Sequence, residues 1–293
     1  MIIDALAAAG FPAGVVNYLT CPPADAPALV ESLIAHPAVR RINFTGSTPV
    51  GRIIARTCGE HLKPAVLELG GKAPLLVLDD ADLEQAAAGA IFGAFANAGQ
   101  ICMSTERIIV DAAVAEPFVA LLAKRAAALP ASLLGPVVEM RTVARCNALI
   151  EDALAKGARL LAGGMSDSTQ MRATLLDGVT REMRIWHEES FGPVKSIIRV
   201  QDEAEALAVA NESEYGLSSA IYSRDSARAW NLAQNLQTGI CHINGPTVHD
   251  EAQMPFGGCK SSGYGRFGGR AGVAEFTELR WITLQTLPRE LPF

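Results

Sequence analysis

A cysteine and a glutamate, Cys102 and Glu68, have the side-chain types needed for covalent chemistry at a carbonyl carbon. A thiol can add to an aldehyde and hold the product as a thioester, and a carboxylate can activate the water that releases it. Cys102 ends the segment FANAGQIC (residues 95–102), and Glu68 lies thirty-four positions earlier in LELGGK (residues 67–72). The preceding helix is predicted to end near Gly99, which places the thiol in a loop whose free N–H groups can face an oxyanion.

Neither residue is diagnostic when taken singly. A lone cysteine is most often a small buried hydrophobic residue, and a glutamate between Leu67 and Leu69 serves as an ion-pair partner as readily as an acid or base with a raised pKa. The cysteines show no Cys-x-x-Cys pair and no regular spacing, which disfavours structural zinc and a disulfide framework and fits a reducing cytoplasm. The six cysteines are Cys21, Cys58, Cys102, Cys146, Cys241 and Cys259.

Two further segments and one histidine deserve a functional interpretation. FTGSTPVG (residues 44–51) is predicted as strand, turn and helix start, where free N–H groups suit a pyrophosphate, although it lacks the GxGxxG spacing. EESFGPV (residues 188–194) carries two adjacent acids, which by themselves are typical of a solvated turn. His249 has no second histidine or cysteine at ligand spacing, so it is predicted to be a loop or substrate-contact residue, and no metal site is predicted.

The composition argues against several classes of protein. The 293 residues are 49% apolar, unlike a disordered chain. The net charge is −6 and the 25 lysines and arginines are dispersed, so nucleic-acid binding is not expected. The longest apolar runs, such as residues 86–96, are alanine-rich and interrupted by glycine, so no membrane span is predicted. No secretory signal is recognisable, and a cytoplasmic protein is therefore expected.

Strand-like and helix-like segments alternate along the chain, which predicts an α/β fold. Asp82 with Gln85 resembles a capping box that begins a long helix. Residues 256–272 are glycine-rich and predicted to be a loop, and the pair Gly70-Gly71 favours a domain boundary near residues 69–73. The predicted strands are 15–19, 39–44, 65–69, 74–78, 107–111, 194–200, 220–222 and 240–244, and the predicted helices are 2–9, 26–35, 49–57, 82–97, 113–128, 142–156, 202–211 and 225–237.

Taken together, these segments resemble the NAD(P)-dependent aldehyde dehydrogenase family. The resemblance rests on FANAGQIC, LELGGK, FTGSTPVG and EESFGPV, and on MPFGGCKSSGYGR (residues 254–266), which is similar to the family's Pro-Phe-Gly-Gly-x-Lys-x-Ser-Gly motif. It extends over residues 2–287. It implies an incomplete Rossmann-like cofactor domain (1–69), an α/β catalytic domain (70–245), and a last part (246–293) that holds an active-site loop, a return segment and an oligomerisation strand at about residues 280–285.

The resemblance also implies a role for each site residue. Cys102 would attack the aldehyde as a thiolate and Glu68 would be the general base that hydrolyses the thioester. Glu189 would bind the nicotinamide ribose, and Phe191 would pack beside the nicotinamide. The cofactor would be NAD, with NADP as the alternative. The turn at the cofactor phosphates would use Gly46, Ser47 and Thr48, while Gly51 would allow close helix packing.

The loop from Asn244 to Gln253, with His249 and Asp250, is similar to the branch that acts on aromatic aldehydes of the vanillin and salicylaldehyde kind. Full-length members begin further upstream, so the resemblance implies that a front portion is missing, and a short internal deletion is expected near residues 130–136. An intact enzyme is expected to be a homo-oligomer. Two alternatives stay open: a truncated, inactive remnant, and a relative that releases an acyl-CoA, against which Glu68 speaks.

Overall fold

A computed structural model describes residues 1–293, and the chain divides into two compact units. The smaller unit consists of Met1–Ile42 and Ile53–Ala65, and the larger of Asn43–Arg52 and Val66–Phe293. All residues with a predicted chemical role belong to the larger unit. The domain boundary predicted near residues 69–73 stays a prediction.

The strands are β1 (Ile42–Thr45), β2 (Ala65–Glu68), β3 (Ala73–Val77), β4 (Thr105–Asp111), β5 (Arg159–Ala162), β6 (Thr174–Asp177), β7 (Val194–Val200), β8 (Tyr215–Gly216), β9 (Ser218–Tyr222), β10 (Ile240–Ile243), β11 (Cys259–Lys260) and β12 (Gly263–Tyr264).

The helices are α1 (Ile2–Ala8), α2 (Ala26–Ala35), α3 (Thr48–Glu60), α4 (Leu83–Phe95), α5 (Ala112–Ala127), α6 (Ala131–Leu134), α7 (Met140–Ala155), α8 (Arg184–His187), α9 (Glu203–Asn211), α10 (Ser226–Ala233) and α11 (Gly269–Glu275), with a 3-10 turn at Ala96–Gly99.

A seven-stranded sheet forms the centre of the larger unit, in the order β10-β9-β3-β4-β7-β6-β5. All its pairs are parallel except β5 with β6. Alternate residues of the inner strands enter two different cores: Leu76 and Ile109 pack in the cluster that includes α7 and α9, whereas Leu75 and Ile108 pack in the cluster that includes α4 and α5. Helices cover both faces of the sheet, which is why its inner strands carry runs of buried apolar residues. The α/β prediction is confirmed.

A second sheet has three strands in the order β1-β2-β12, and β12 runs antiparallel to β2 so that Gly263 pairs with Glu68. The neighbouring strand β11 pairs with β8. The prediction that residues 256–272 are only a loop is therefore wrong, because this stretch contributes two short strands that pair with distant parts of the chain. Pairing over such distances leaves no local signal in the sequence.

Most predicted elements agree with the structure within a few residues, including the helix capped by Asp82, whose carboxylate accepts from the N–H groups of Glu84 and Gln85 at 3.1 Å. The strand predicted at 15–19 is wrong: Val15 and Leu19 are exposed and no strand pairs with them. The strand predicted at 280–285 is also not formed in the single chain. A strand requires a hydrogen-bonded neighbour, and neither segment has one.

The smaller unit buries few side chains, chiefly Ile34, Ile54 and Cys58. The Lys63 ammonium closes the end of α2 by donating to the carbonyl oxygens of Ile34 and of His36, the latter at 2.6 Å. None of the helices has both the length and the apolar character needed to cross a membrane. The cytoplasmic location and the homo-oligomer stay predictions.

Candidate active site

Cys102 lies just after the 3-10 turn at Ala96–Gly99, as the sequence predicted, and is partly buried. Three successive residues of this turn have left-handed φ angles, 51° at Asn97, 55° at Ala98 and 71° at Gly99. Two of them are not glycine, which is costly in an unsupported loop and requires tight packing around the turn. A Cβ added to Gly71 would lie 2.2 Å from the Cys102 carbonyl oxygen, so only glycine fits beside this turn.

The Glu68 carboxylate lies beside the Cys102 thiol, and each of the two groups shifts the pKa of the other. The carboxylate lies at the end of β2 and is only 4% exposed. Burial raises the pKa of Glu68, and the Cys102 thiol offsets part of this rise. The carboxylate atom Oε1 has no hydrogen-bond partner, so one acceptor of this buried group is available to a ligand or water.

The Cys102 thiol is neutral in this arrangement. Burial and the adjacent Glu68 carboxylate raise the pKa of Cys102 well above its ordinary value of 9.0, and the hydrogen bond from the Met103 N–H lowers it only in part. These surroundings disfavour the thiolate that is predicted to attack the aldehyde. A base has to remove the thiol proton, and of the two carboxylates that raise the pKa of the thiol, Glu68 has the larger effect.

Glu189, from the segment 188–194, also lies at the site formed by Glu68 and Cys102. Its Oε1 accepts from the Gly71 N–H at 2.8 Å, and a Cβ added to Gly70 would lie 2.8 Å from its Oε2. Burial raises the pKa of Glu189 to about 7, opposed by the Gly71 hydrogen bond. The two glycines after Glu68 thus allow close approach of two groups: the Cys102 backbone lies against Gly71, and the Glu189 carboxylate lies against Gly70. Phe191 lies two residues further, partly buried, with a left-handed φ of 43°.

The predicted phosphate turn is joined to Glu68 through the main chain, since the Gly46 N–H donates to the Glu68 carbonyl at 3.0 Å. Ser47 is exposed at the start of α3, where backbone N–H groups favour an anion. Thr48 is buried, and its hydroxyl donates to the Ser261 carbonyl at 2.9 Å. A Cβ added to Gly51 would lie 2.4 Å from a methyl group of Leu69, which explains glycine in this helix.

The segment that contains β11 and β12, residues 259–264, is hydrogen-bonded to the chain just after Glu68. The Ser262 hydroxyl donates to the Gly70 carbonyl at 2.7 Å, and the Leu69 N–H donates to the Ser262 carbonyl at 3.0 Å. These bonds fix both sides of the glycine pair. The structure therefore brings Cys102, Glu68 and Glu189 together, with the Gly46 turn attached to them.

Sequence reasoning missed a buried polar cluster beside this site. The Glu106 carboxylate accepts from the ammonium groups of Lys72 and Lys195, both at 2.7 Å, and from the Ser190 hydroxyl at 2.6 Å. These lysine and glutamate side chains are at most 2% exposed. A signal was present: Glu106 and Lys195 interrupt central strands that are otherwise rich in apolar residues, and a charge there must be paired.

His249 lines a cavity of about 350 Å³ with His242, Glu251 and other residues of the strand β10 and the loop after it. The two imidazole rings meet edge to face with centroids 5.3 Å apart, and His242 Nε2 has no hydrogen-bond partner. The loop is tied to the Cys102 turn by Thr247, whose hydroxyl donates to the Met103 carbonyl at 2.7 Å. The cavity contains no group of three residues suited to hold a metal ion.

Comparison with known proteins agrees with this fold. A sequence model of the aldehyde dehydrogenase family matches residues 1–282. The chain belongs to the aldehyde dehydrogenase family.

Its relatives include a vanillin dehydrogenase of Pseudomonas fluorescens, 59% identical over 299 residues, which covers 100% of this chain and 62% of that protein. A salicylaldehyde dehydrogenase of Pseudomonas putida is 48% identical, with the same coverage. The crystal structure of a salicylaldehyde dehydrogenase from Pseudomonas putida, complexed with salicylaldehyde, superposes with a TM-score of 0.97 and also covers 100% of this chain and 62% of that one. The chain thus spans about 62% of the length of these relatives.

Proposed function

We propose that this chain oxidises an aromatic aldehyde to a carboxylic acid with NAD(P), through a thioester on Cys102. The observation that carries the proposal is the Cys102 thiol beside the buried Glu68 carboxylate, with Glu189 close by. A nucleophile and a base within hydrogen-bond reach are the arrangement that covalent catalysis requires.

In the first half of the reaction the Cys102 sulfur forms a bond to the aldehyde carbon. Glu68 takes the thiol proton as the substrate arrives, since its raised pKa brings it closer to that of the thiol than an ordinary carboxylate. The aldehyde oxygen becomes an oxyanion, which the backbone N–H of Cys102 helps to hold.

In the second half the adduct loses its hydride and becomes a thioester. NAD(P), when bound, accepts that hydride. After the proton on Glu68 has passed to solvent, the carboxylate takes a proton from water, and the hydroxide adds to the thioester carbon. The carbon–sulfur bond then breaks, the carboxylic acid leaves, and Cys102 regains its proton.

The residues present fit a dinucleotide. Gly46 and Ser47 lead into α3, which begins at Thr48, and free backbone N–H groups at this helix start would hold the pyrophosphate. The Glu189 carboxylate would accept from the nicotinamide ribose hydroxyls, and Phe191 would pack beside the nicotinamide. The structural neighbours include both NADP-dependent and NAD-dependent enzymes, so either cofactor is in the proposal, with NAD favoured.

An aromatic substrate is supported by the relatives, which include vanillin, salicylaldehyde and benzaldehyde dehydrogenases that are 41–59% identical to this chain. The loop from Asn244 to Gln253, which carries His249, is the segment that would contact the aromatic ring.

The proposal is tested on the purified 293-residue chain by calorimetry with NAD and NADP and by following reduced cofactor at 340 nm with vanillin and salicylaldehyde. Wild type should bind cofactor and turn over. Cys102→Ser should bind equally well but lose at least roughly 10³-fold in turnover, because it lacks the nucleophile. A folded chain that binds neither cofactor would overturn the proposal in favour of the inactive remnant.

The acyl-CoA alternative is separated by product analysis in the presence of coenzyme A. A free acid as product supports Glu68 as the base for hydrolysis. An acyl-CoA formed in preference to the acid would contradict that role.

A further inference from the structure

The buried cluster centred on Glu106 contacts three separate segments of the candidate active site. Lys72 continues the Gly70-Gly71 pair, and its ammonium donates to the Glu188 carbonyl at 2.6 Å as well as to Glu106. Ser190 follows Glu189 directly and gives Glu106 two hydrogen bonds, from its hydroxyl at 2.6 Å and its N–H at 3.0 Å. The residues on both sides of Glu189 are therefore fixed to one cluster.

The same cluster lies under the turn that presents Cys102. A Cβ added to Gly99 would be 3.0 Å from the Lys195 ammonium and 2.3 Å from the Gly192 carbonyl oxygen. Glu106 itself stands four residues after Cys102 on strand β4. Segment 188–192 and the Cys102 turn are thus packed against each other with Glu106, Lys72 and Lys195 behind them.

Stability alone is a poor explanation of this cluster. Removing three charges from water is expensive, and well-packed apolar side chains of similar volume often stabilise a core as much or more. Hydrogen bonds to a fixed carboxylate do something that apolar packing does not: they set the direction and register of the loop that donates them. The excess of one positive charge in the cluster also acts on Glu189, since both lysines favour its ionised form while Glu106 opposes it.

We propose that Glu106 is a positioning residue, which through Ser190, Lys72 and Lys195 holds Glu189 at Gly71 and in register with the Cys102 turn. This inference rests on the roles proposed above for Cys102 and Glu189. Glu106 contacts neither substrate nor cofactor. It acts on the reaction through the segments on either side of Glu189 and through the turn before Cys102.

The test compares two serine variants, both made in the full chain. Ser190→Ala removes the hydroxyl that joins Glu106 to the loop and leaves both lysine pairs intact. Ser196→Ala is the matched control, because Ser196 is also fully buried and its hydroxyl donates to the main-chain carbonyl of Glu106 at 2.9 Å, away from the carboxylate and the loop. Ser196→Ala loses one buried hydroxyl bond, and Ser190→Ala loses the hydroxyl bond to Glu106 together with the weaker contacts of that hydroxyl with the Gly192 carbonyl at 3.1 Å and the Lys195 ammonium at 3.4 Å. Only Ser190→Ala weakens the link between Glu106 and the segment that carries Glu189, which then depends on the Ser190 N–H alone.

The first readout is the rate at which iodoacetamide alkylates Cys102, followed by peptide mass spectrometry. It requires no turnover, so it separates failure of this inference from failure of the proposed function. Ser190→Ala should label roughly tenfold faster, as expected when a charge-assisted hydrogen bond that restrains the site is lost, and Ser196→Ala should label at the wild-type rate. The second readout is kinetic: Ser190→Ala should raise KM for the cofactor more than it lowers kcat.

Equal labelling of the two variants, or a common increase that follows a common fall in Tm, would overturn the inference. Glu106→Asp provides a second test if Ser190→Ala fails to fold. It keeps the charge balance of the cluster but shortens the carboxylate by one methylene, so both hydrogen bonds from Ser190 are weakened. Its Cys102 should also label faster than that of Ser196→Ala, and an unchanged rate would contradict the positioning role.

Discussion

Two carboxylates of the larger unit are buried to the same degree and behave in opposite ways. Glu106 is 2% exposed and Glu68 is 4% exposed. Lys195 and Lys72 hold the pKa of Glu106 down to about 2 in spite of its burial. Glu68 has no cation beside it, and burial raises its pKa. The partner of a buried carboxylate, and not the depth of burial, decides whether it stays ionised.

This difference separates a structural region from a reactive one. A carboxylate paired with two ammonium groups and a serine has its acceptors engaged and has little tendency to take a proton. A carboxylate that lies beside a thiol and has an unpartnered oxygen is available as a base. Glu189 is intermediate: one N–H donor opposes its burial, and its pKa rises to about 7.

The largest effect is expected from removing the reactive carboxylate. Glu68→Gln should lower aldehyde turnover by roughly 10²–10⁴-fold, the range typical of a lost general base. Its free energy of unfolding should be unchanged or higher, because a buried carboxylate without a cation is replaced by a neutral amide. Steady-state kinetics and urea denaturation measure the two quantities. Glu214→Gln, an exposed carboxylate paired with Arg52, is the control and should alter neither.

Removing the paired carboxylate, Glu106, should mainly lower the free energy of unfolding, unlike the removal of Glu68. Glu106→Gln leaves Lys72 and Lys195 buried without a counter-charge, and it should cost about 3–5 kcal/mol of unfolding free energy. The folded pKa of Glu106, about 2, is below the ordinary value of 4.5. Wild type should therefore hold this stabilisation fully above pH 4.5 and lose it as the pH falls toward 2. Urea melts at several pH values measure this, and a variant as stable as wild type at pH 7 would contradict the comparison.

A smaller loss of stability is expected at Gly71, which lies between Glu68 and the cluster centred on Glu106. Gly71→Ala places a methyl group 2.2 Å from the Cys102 carbonyl, where backbone must shift, at a cost of about 1–3 kcal/mol. Thermal unfolding measures the cost. Gly59→Ala is the matched control: it meets no atom within 4 Å and lies in the helix α3, so it should be neutral or slightly stabilising. Equal Tm values for the two variants would show that the turn is not tightly packed.

The smallest effect concerns the pH dependence of cofactor binding. Below about pH 7 Glu189 takes up a proton and accepts hydrogen bonds less well, so the Kd for NAD(P) should rise by up to roughly tenfold between pH 8 and pH 6. Calorimetry measures it. Glu189→Gln should bind weakly with no such dependence. Glu188→Gln is the control, since the Arg184 guanidinium holds the pKa of Glu188 below its usual range, and this variant should keep the wild-type profile.

Much of the fold was accessible from local sequence patterns. The central strands were predicted because helices on both faces require runs of apolar residues in them, and Asp82 marked the start of α4 because a side-chain cap is a local interaction. The strands β11 and β12 and the false strand at 15–19 show the limit. In each case strand formation depends on a hydrogen-bonded neighbour that is distant in the sequence. Gly263 has such a neighbour in β2, and Val15 has none.

The candidate site divides in the same way. The sequence by itself determined the family, the presence of Cys102 and Glu68, and the glycines at positions 51 and 71 that allow close packing. These are matters of residue type and spacing, which can be read directly from the sequence. Only the tertiary structure decided that the Cys102 thiol rests neutral against Glu68 and that Glu106 is ionised between two lysines. Protonation depends on which charges and donors meet in a space closed to water, and these come from segments as far apart as residues 72, 106 and 195.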